Sequence, residues 1–412
     1  TGKFSMIKDF IVEDLSLAPS GHVKIAWAGR WMGVLNRLEK RFASHGVFQG
    51  KRISICIHLE AKTAYLAEVI QRLGAEVWIT SSNPTSSKDD VCAALAEKGI
   101  HVFARHDASE ADFESYLEAI TSCKPHVVVD DGGDVCEYLG KHPEHTANLM
   151  GICEETTTGV NRLREKSKRG ELKYPALAIN DAQSKFLFDN RHGTGQSTWS
   201  SIMNLTNLTV VGKTVVVVGF GWVGRGVAHR AAGLGAEVIV TEIDPWKAWE
   251  ARMEGFRIMT LLEAAPQGDY FVTCTGEERV IRQEHFEIMK RGAFLSNAGH
   301  FGYEIDIPVL KDMAISSQVL REKVEEYQLA DDRKLYLLAD GDIINIAGGL
   351  GHPVEIMDMS FSLQLAAMHH VLSASDLTPG LQAVPLEIDE MIVREKMAVE
   401  GFSIDKDPKK EI

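Results

Sequence analysis

No run in this 412-residue chain approaches the about 18 to 20 apolar residues that a membrane span requires. Residues 1–9 also lack the apolar centre of a secretion signal. No membrane partner is expected, and the cytoplasm is the expected location. Basic charge is short too: 44 Lys and Arg against 58 Asp and Glu leave a formal net charge of -14. Nucleic-acid binding relies on clustered cations, so no nucleic-acid partner is expected. Cys56, Cys92, Cys123, Cys136, Cys153 and Cys274 are scattered with no C-x-x-C pair, which suggests neither a metal site nor a disulfide framework. They read as reduced, mostly buried thiols.

A single core stops growing at about 250 to 300 residues, so the chain divides into two domains. The clearest stretch runs from Thr214 to Asp244. Gly219, Gly221 and Gly224 form G-x-G-x-x-G after the valines 215–218 and at the mouth of a helix over 227–234. Glu242 closes the next apolar strand about 20 residues later, where a carboxylate can hold a ribose diol. Gly219 permits the turn, Gly221 the approach of a pyrophosphate, and Gly224 the packing of helix on strand. The helix N-terminus offers amides to phosphate. The acidic side chain favours NAD over NADP, whose extra phosphate it repels.

The first 50 residues read as amphipathic helix, with Ile25, Trp27, Trp31, Met32 and Leu35 as a core-facing stripe. From Lys51 the pattern alternates: strands over 52–57, 76–80, 101–104 and 126–129, with helices over 62–73, 90–98 and 110–120 between them. Such alternation means a doubly wound α/β domain, and the glycine motif lies in a second. Ligands of these sheets bind past the strand ends. Those positions hold His58 and Glu60, then Ser81, Ser82 and Asn83, then Asp130, Asp131 and Asp134, although a solvated turn explains such residues too. The triplet Thr156, Thr157 and Thr158 caps a helix or bonds a polar ligand. Lys185 and Asp189 share a helical face, and an ordinary i, i+4 ion pair accounts for them. Residues 193–196 look like a hinge. The strands ending at Thr275 and Asn297 suit a nicotinamide and ribose pocket, a long apolar helix covers 354–372, and helix then a charged tail follow Asp376.

Together the motifs His58-Leu-Glu-Ala-Lys-Thr63, Asp130-Asp-Gly-Gly-Asp134, Glu154-Glu-Thr-Thr-Thr-Gly159, Lys185 with Phe188-Asp-Asn190, Asn297-Ala-Gly-His300 and Gly351-His-Pro353 resemble the adenosylhomocysteinase family. The likeness covers about residues 23–390, and the compact length and several of its pieces are similar to the archaeal and Thermotoga-like branch. It implies two Rossmann-like domains joined by hinges: a substrate domain of 1–188 plus 353–385, an NAD domain of 189–352, and a tail of 386–412. It also implies a tightly held catalytic NAD that oxidises the nucleoside C3′ and later returns the hydride. Between those steps C4′ is deprotonated, the 5′ thiolate leaves and water adds.

Residue by residue, the resemblance brings Lys185 and Asp189 to the 3′-hydroxyl and Glu155 to the ribose hydroxyls. His58, Asp131 and His300 surround C5′, and His352 closes over the ribose. NAD is implied at Thr156, Thr157, Thr158, Asn190, Gly219, Gly221, Trp222, Val223, Gly224, Glu242, Thr275, Asn297, Gly299 and Asn345. Substrate contacts are implied at Glu60, Lys62, Thr63, Leu350 and Met357. Domain closure is expected to exclude water from the reduced cofactor, and a homotetramer is implied.

Departures set limits. Thr194 stands where many members have Cys, Gly302 where Asp is usual, and Lys88 where Gln is usual. Glu60 and Lys62 replace the residues that read adenine, which leaves open a 6-oxopurine such as inosine. The tail that lends a Lys and a Tyr to a neighbour's NAD is not recognisable; only Lys406, Lys409 and Lys410 remain. The expected activity is reversible hydrolysis of S-adenosylhomocysteine. The alternatives are the same chemistry on another nucleoside, S-inosylhomocysteine or a dehydrated biosynthetic nucleoside, and a non-catalytic NAD-binding regulator.

Overall fold

The computed structural model describes residues 9–407 and 409; residues 1–8, 408 and 410–412, Lys410 among them, lie outside the described residues. Contacts divide the chain into two compact units, Thr1–Lys185 with Met357–Ile412, and Phe186–Ile356.

In the first unit, β1 (Arg52–Cys56), β2 (Glu76–Thr80), β3 (His101–Phe103), β4 (Val127–Asp130), β5 (Gly151–Glu154) and β6 (Pro175–Ala178) join the later strand Gly380–Ala383. Among the described residues they form a seven-stranded sheet, in the order Gly380–Ala383, β6, β5, β4, β1, β2, β3. Every pair is parallel. The chain walks outward from β1 to β3 and returns beside β1 as β4. Loops leaving β1 and β4 therefore diverge and open a crevice at their carboxyl ends. Helices on both faces explain why Ile53, Ile55, Val127, Val128 and Val129 are fully buried.

The expected stripe in the opening helices is only half correct. Ile25, Met32 and Leu35 are buried, but Trp27 is 57% and Trp31 48% exposed. In the helix Ala18–Arg30, Trp27 follows Ile25 by two residues, about 200° around the axis, and so turns outward. The segment after Asp376 begins with a strand rather than a helix, and the helix Leu386–Glu400 follows. Asp389 accepts from the amides of Gln183 and Ser184, both at 2.8 Å, and Glu395 pairs with Arg37 at 2.6 Å and with Arg41.

The second unit carries β7 (Thr214–Val218), β8 (Glu237–Thr241), β9 (Arg257–Ile258), β10 (Tyr270–Thr273), β11 (Phe294–Asn297), β12 (Ala314–Arg321), β13 (Val324–Leu329) and β14 (Lys334–Leu338). Their order is β12, β13, β14, β11, β10, β7, β8, β9. All pairs are parallel except β12 with β13 and β13 with β14, an antiparallel extension. Val215 and Val217 pack in one core and Val216 and Val218 in another, one on each face of the sheet. The sheet reverses between β7 and β10, beside the glycine motif.

Residues 193–196, expected as a hinge, are helical. Gly193 ends a π-helical stretch, Phe186–Gly193, that runs directly into the helix Thr194–Thr206. The glycines serve packing: a Cβ on Gly195 would stand 2.7 Å from the Gly226 carbonyl. The chain crosses between units at Lys185–Phe186 and Ile356–Met357, both in helical segments. No helix among the described residues is long and apolar enough to cross a membrane.

Candidate active site

The first unit gathers its polar groups at the crevice between β1 and β4. His58 leaves β1 and Asp131 leaves β4; His58 Nε2 lies 3.5 Å from Asp131 Oδ2. His58 Nδ1 meets Ser86 Oγ at 2.7 Å, and Ser82 Oγ donates to Asp131 at 3.0 Å. The imidazole is thus held at both nitrogens, and the carboxylate is buried. Thr63 anchors the same turn by donating to the His58 carbonyl at 2.7 Å.

Glu60 caps the helix Ala61–Arg72, accepting from the amides of Lys62 and Thr63. Its other oxygen pairs with Lys62 Nζ at 2.7 Å, and Lys62 is itself buried. Thr156 is the N-cap of Thr157–Lys168, so the capping alternative for the triplet holds at that position. Glu155, buried, accepts from Gln364 Nε2 at 2.5 Å. Met357 is 9% exposed.

Lys185 is buried and donates to Asn180 Oδ1 at 3.0 Å, while Asn180 Nδ2 donates to Thr157 Oγ1 at 2.9 Å. Asn180 is not among the residues that the sequence motifs single out. Its signal is the one that marks the others: a polar residue just past an apolar strand, here β6. Asp189 pairs with His352 Nδ1, whose Nε2 meets Thr194 Oγ1 at 3.1 Å. Lys185 ends the first unit and Asp189 sits in a π-helical turn of the second, a helix irregularity frequent at functional sites.

In the second unit each glycine of the motif has a distinct environment. Gly219 has φ +102°, which favours glycine, and a Cβ on Gly224 would stand 1.9 Å from the Gly219 carbonyl. A Cβ on Gly221 would meet nothing within 4 Å. Gly221 therefore leaves open space at the N-terminus of the helix Trp222–Gly233, where a diphosphate fits. Trp222 packs at a tilt against Phe186 at 4.9 Å and lies under the Arg225 guanidinium at 4.7 Å; Val223 follows it in the first turn. Glu242 accepts from the amides of Phe220 at 2.7 Å and Ile243 at 2.9 Å, which binds the end of β8 to the glycine turn.

On the other side of the switch point, Asn297 accepts from Thr273 Oγ1 and the Gly299 amide, both at 2.8 Å. Thr275 is held by Glu304. Asn345 is fully buried, donates to Ser197 at 3.2 Å and has an Oδ1 without a hydrogen-bond partner among the described residues. These features fit a dinucleotide: a glycine cradle, an acid at the β8 end and an unsatisfied buried amide oxygen. Asn190 is buried, His300 packs edge-on against Phe301 at 4.4 Å, and Leu350 is 88% exposed.

The thiols do not suit nucleophilic work. All six are free, and burial pushes Cys136 up to about 12 and Cys123 to about 11.

Residues 9–142 match the family profile described as S-adenosyl-L-homocysteine hydrolase, and residues 190–351 match its NAD binding domain. The chain is 49% identical over 401 residues to an adenosylhomocysteinase of Thermococcus kodakarensis, covering 97% of this chain and 95% of that one. It is 46% identical to an adenosylhomocysteinase of Thermotoga maritima, with 94% and 96% covered. Identity is 48% to an S-inosyl-L-homocysteine hydrolase of Methanocaldococcus jannaschii, with 96% and 95% covered. Among solved structures, a dipicolinate synthase chain of Bacillus halodurans matches with a TM-score of 0.51 at 13% identity, covering 80% of this chain and all of that one; this likeness concerns the fold alone.

Proposed function

The chain belongs to the S-adenosyl-L-homocysteine hydrolase family, and from that premise we propose that it cleaves S-adenosyl-L-homocysteine reversibly to adenosine and L-homocysteine. Gly219, Gly221, Gly224, Glu242 and Asn345 of the second unit would hold NAD, which would supply a reversible hydride acceptor for the ribose C3′. The chain's own groups do the rest. Lys185, anchored through Asn180, takes the proton of the 3′-hydroxyl, and Asp189 with His352 orients it. The 3′-ketone acidifies the C4′ hydrogen; once that proton is removed, the 5′ thiolate leaves and water adds to C5′. His58 and Asp131 manage the leaving group and the water, with His300 as a further acid–base group. Glu155, steadied by Gln364, accepts from the ribose hydroxyls.

The observation that carries this reading is the His58 and Asp131 pair at the switch point of the first sheet. A simple dehydrogenase needs one acid–base group, at the carbon it oxidises. A second set, built on other strands and fixed by Ser82 and Ser86, suits elimination and hydration at C5′. Mixing the protein with S-adenosyl-L-homocysteine tests it: transient reduced-nicotinamide absorbance and release of free thiol are expected. No cofactor reduction with any nucleoside would remove the enzymatic reading.

A second reading concerns the base. The buried Lys62 ammonium offers only donors, which suit the 6-oxo group of hypoxanthine better than the amino group of adenine. Some relatives carry the S-inosyl name, so S-inosyl-L-homocysteine is the favoured alternative substrate. A cytoplasmic homotetramer belongs to the same proposal, and sedimentation checks the assembly.

A further inference from the structure

Glu304 has no part in the chemistry above, yet it is fully buried beneath two loops that face the cofactor's side of the second sheet. Its Oε1 accepts from the Thr275 amide at 2.7 Å and from Thr275 Oγ1 at 2.6 Å. Its main-chain carbonyl accepts from the amides of Val280 at 2.7 Å and Ile281 at 3.2 Å, so the residue is fixed at both ends. Among the described residues Oε2 has no hydrogen-bond partner. It lies against Gly299: a Cβ there would stand 1.6 Å from Oε2. The carboxyl is thus wedged between the loop after β10 and the loop after β11.

Packing alone does not account for it. Burying a carboxylate without a cation costs several kcal/mol by general estimates, about what an apolar side chain of similar size would spare. Burial pushes the Glu304 carboxyl up, opposed by hydrogen bonds from Thr275 and Gly276. The Thr275 amide and hydroxyl both donate to it, which limits that rise.

The loops after β10 and β11 lie across the switch point from β8 and Glu242, on the half that takes the nicotinamide in doubly wound folds. The oxidised nicotinamide ring is cationic and the reduced ring neutral. A fixed negative charge nearby therefore stabilises the first relative to the second. We propose that Glu304 tunes the bound cofactor: its carboxylate, held under Thr275 and Gly299, biases NAD toward the oxidised form, so that the borrowed hydride returns to the sugar. In that exchange the C3′ alcohol loses a hydride from carbon and a proton from oxygen, and the nicotinamide gains the hydride. Glu304 shifts the balance without joining it. The inference rests on the reading that this site works on bound NAD.

The test uses the NAD-loaded protein with Glu304→Gln, which keeps the shape and an acceptor for Thr275 but removes the charge. With excess adenosine, the equilibrium ratio of reduced to oxidised cofactor is expected to rise at least about fivefold, about 1 kcal/mol, at unchanged NAD content per chain. Glu304→Asp keeps the charge and is expected to stay within about twofold of the wild-type ratio. An unchanged ratio in Glu304→Gln, or an equal shift in Glu304→Asp, overturns the inference. Where Glu304→Gln does not fold, Glu304→Leu takes its place, and failure of both to fold with NAD overturns it in favour of a structural role. Wild-type protein that reduces no cofactor with any nucleoside removes the underlying reading instead.

Discussion

Asp130 and Glu154 stand opposite each other in register on the parallel strands β4 and β5, both without exposed surface. Asp130 accepts from the amides of Asp131 and Cys136, both at 3.0 Å, and Glu154 from the Gly132 amide at 2.8 Å. Side chains alternate along a strand, so their sequence neighbours Asp131 and Glu155 turn the other way, toward Ser82 and Gln364. Two buried acids thus stand behind two proposed catalytic ones.

The pair predicts a pH-dependent stability. Burial pushes both carboxyls up, Asp130 to about 7, with Asp134 adding to that rise and Asp130 and Asp131 adding to the rise at Glu154. A folded pKa above the unfolded one means that the native state keeps its protons longer. The stabilisation is present below about pH 4, the unfolded value, and drains as pH rises toward about 7. Glu154→Gln removes one of these protons, so its melting temperature should gain on the wild type between about pH 5 and about pH 8. A melting-temperature difference that calorimetry finds constant over that range contradicts the account.

The glycines predict a contrast. Gly224→Ala places a methyl against the Gly219 carbonyl, so it should destabilise the NAD-free protein by about 1 to 3 kcal/mol. Gly221→Ala meets nothing in the chain, so its NAD-free stability should match wild type within about 0.5 kcal/mol. NAD affinity should nevertheless fall, because the methyl enters the space left for phosphate. Denaturant melts and NAD titration separate the two effects.

Lys185→Ala should retain NAD and lose at least about 100-fold in the rate of cofactor reduction, measured by stopped-flow absorbance. An unchanged rate would remove Lys185 from its role.

Lys62 governs the base in the second reading. Lys62→Met should lower kcat/KM for S-inosyl-L-homocysteine about tenfold more than for S-adenosyl-L-homocysteine, in side-by-side assays. Equal losses would assign Lys62 to the turn that Glu60 caps, not to the base.

Much of this architecture was legible because burial on both faces writes strands as apolar runs. Val215 to Val218, followed by glycines and then by Glu242, announced a nucleotide cradle, and polar residues behind β1 and β4 announced a second crevice. Other features leave weaker traces. The strand Gly380–Ala383 is an edge with little apolar content, and β12 is almost wholly exposed, so neither alternates clearly. Residues 193–196 read as a hinge because of their glycines, yet they are helical, and Gly195 admits the neighbouring backbone of Gly226. Glu304 is held by Thr275, distant in sequence, which no local pattern records, whereas Asn180 carries the local signal of a polar residue just past β6. Trp27 shows the opposite error, a large apolar residue assigned to the core although its helical position faces out.

The central claim is that the hydride is borrowed and returned. Substrate carrying deuterium at C3′ tests it directly, with the product nucleoside read by mass spectrometry and NMR after turnover in ordinary water. The account predicts that the label stays at C3′ while C4′ exchanges its hydrogen with solvent. Loss of the C3′ label, or cleavage without exchange at C4′, would contradict it.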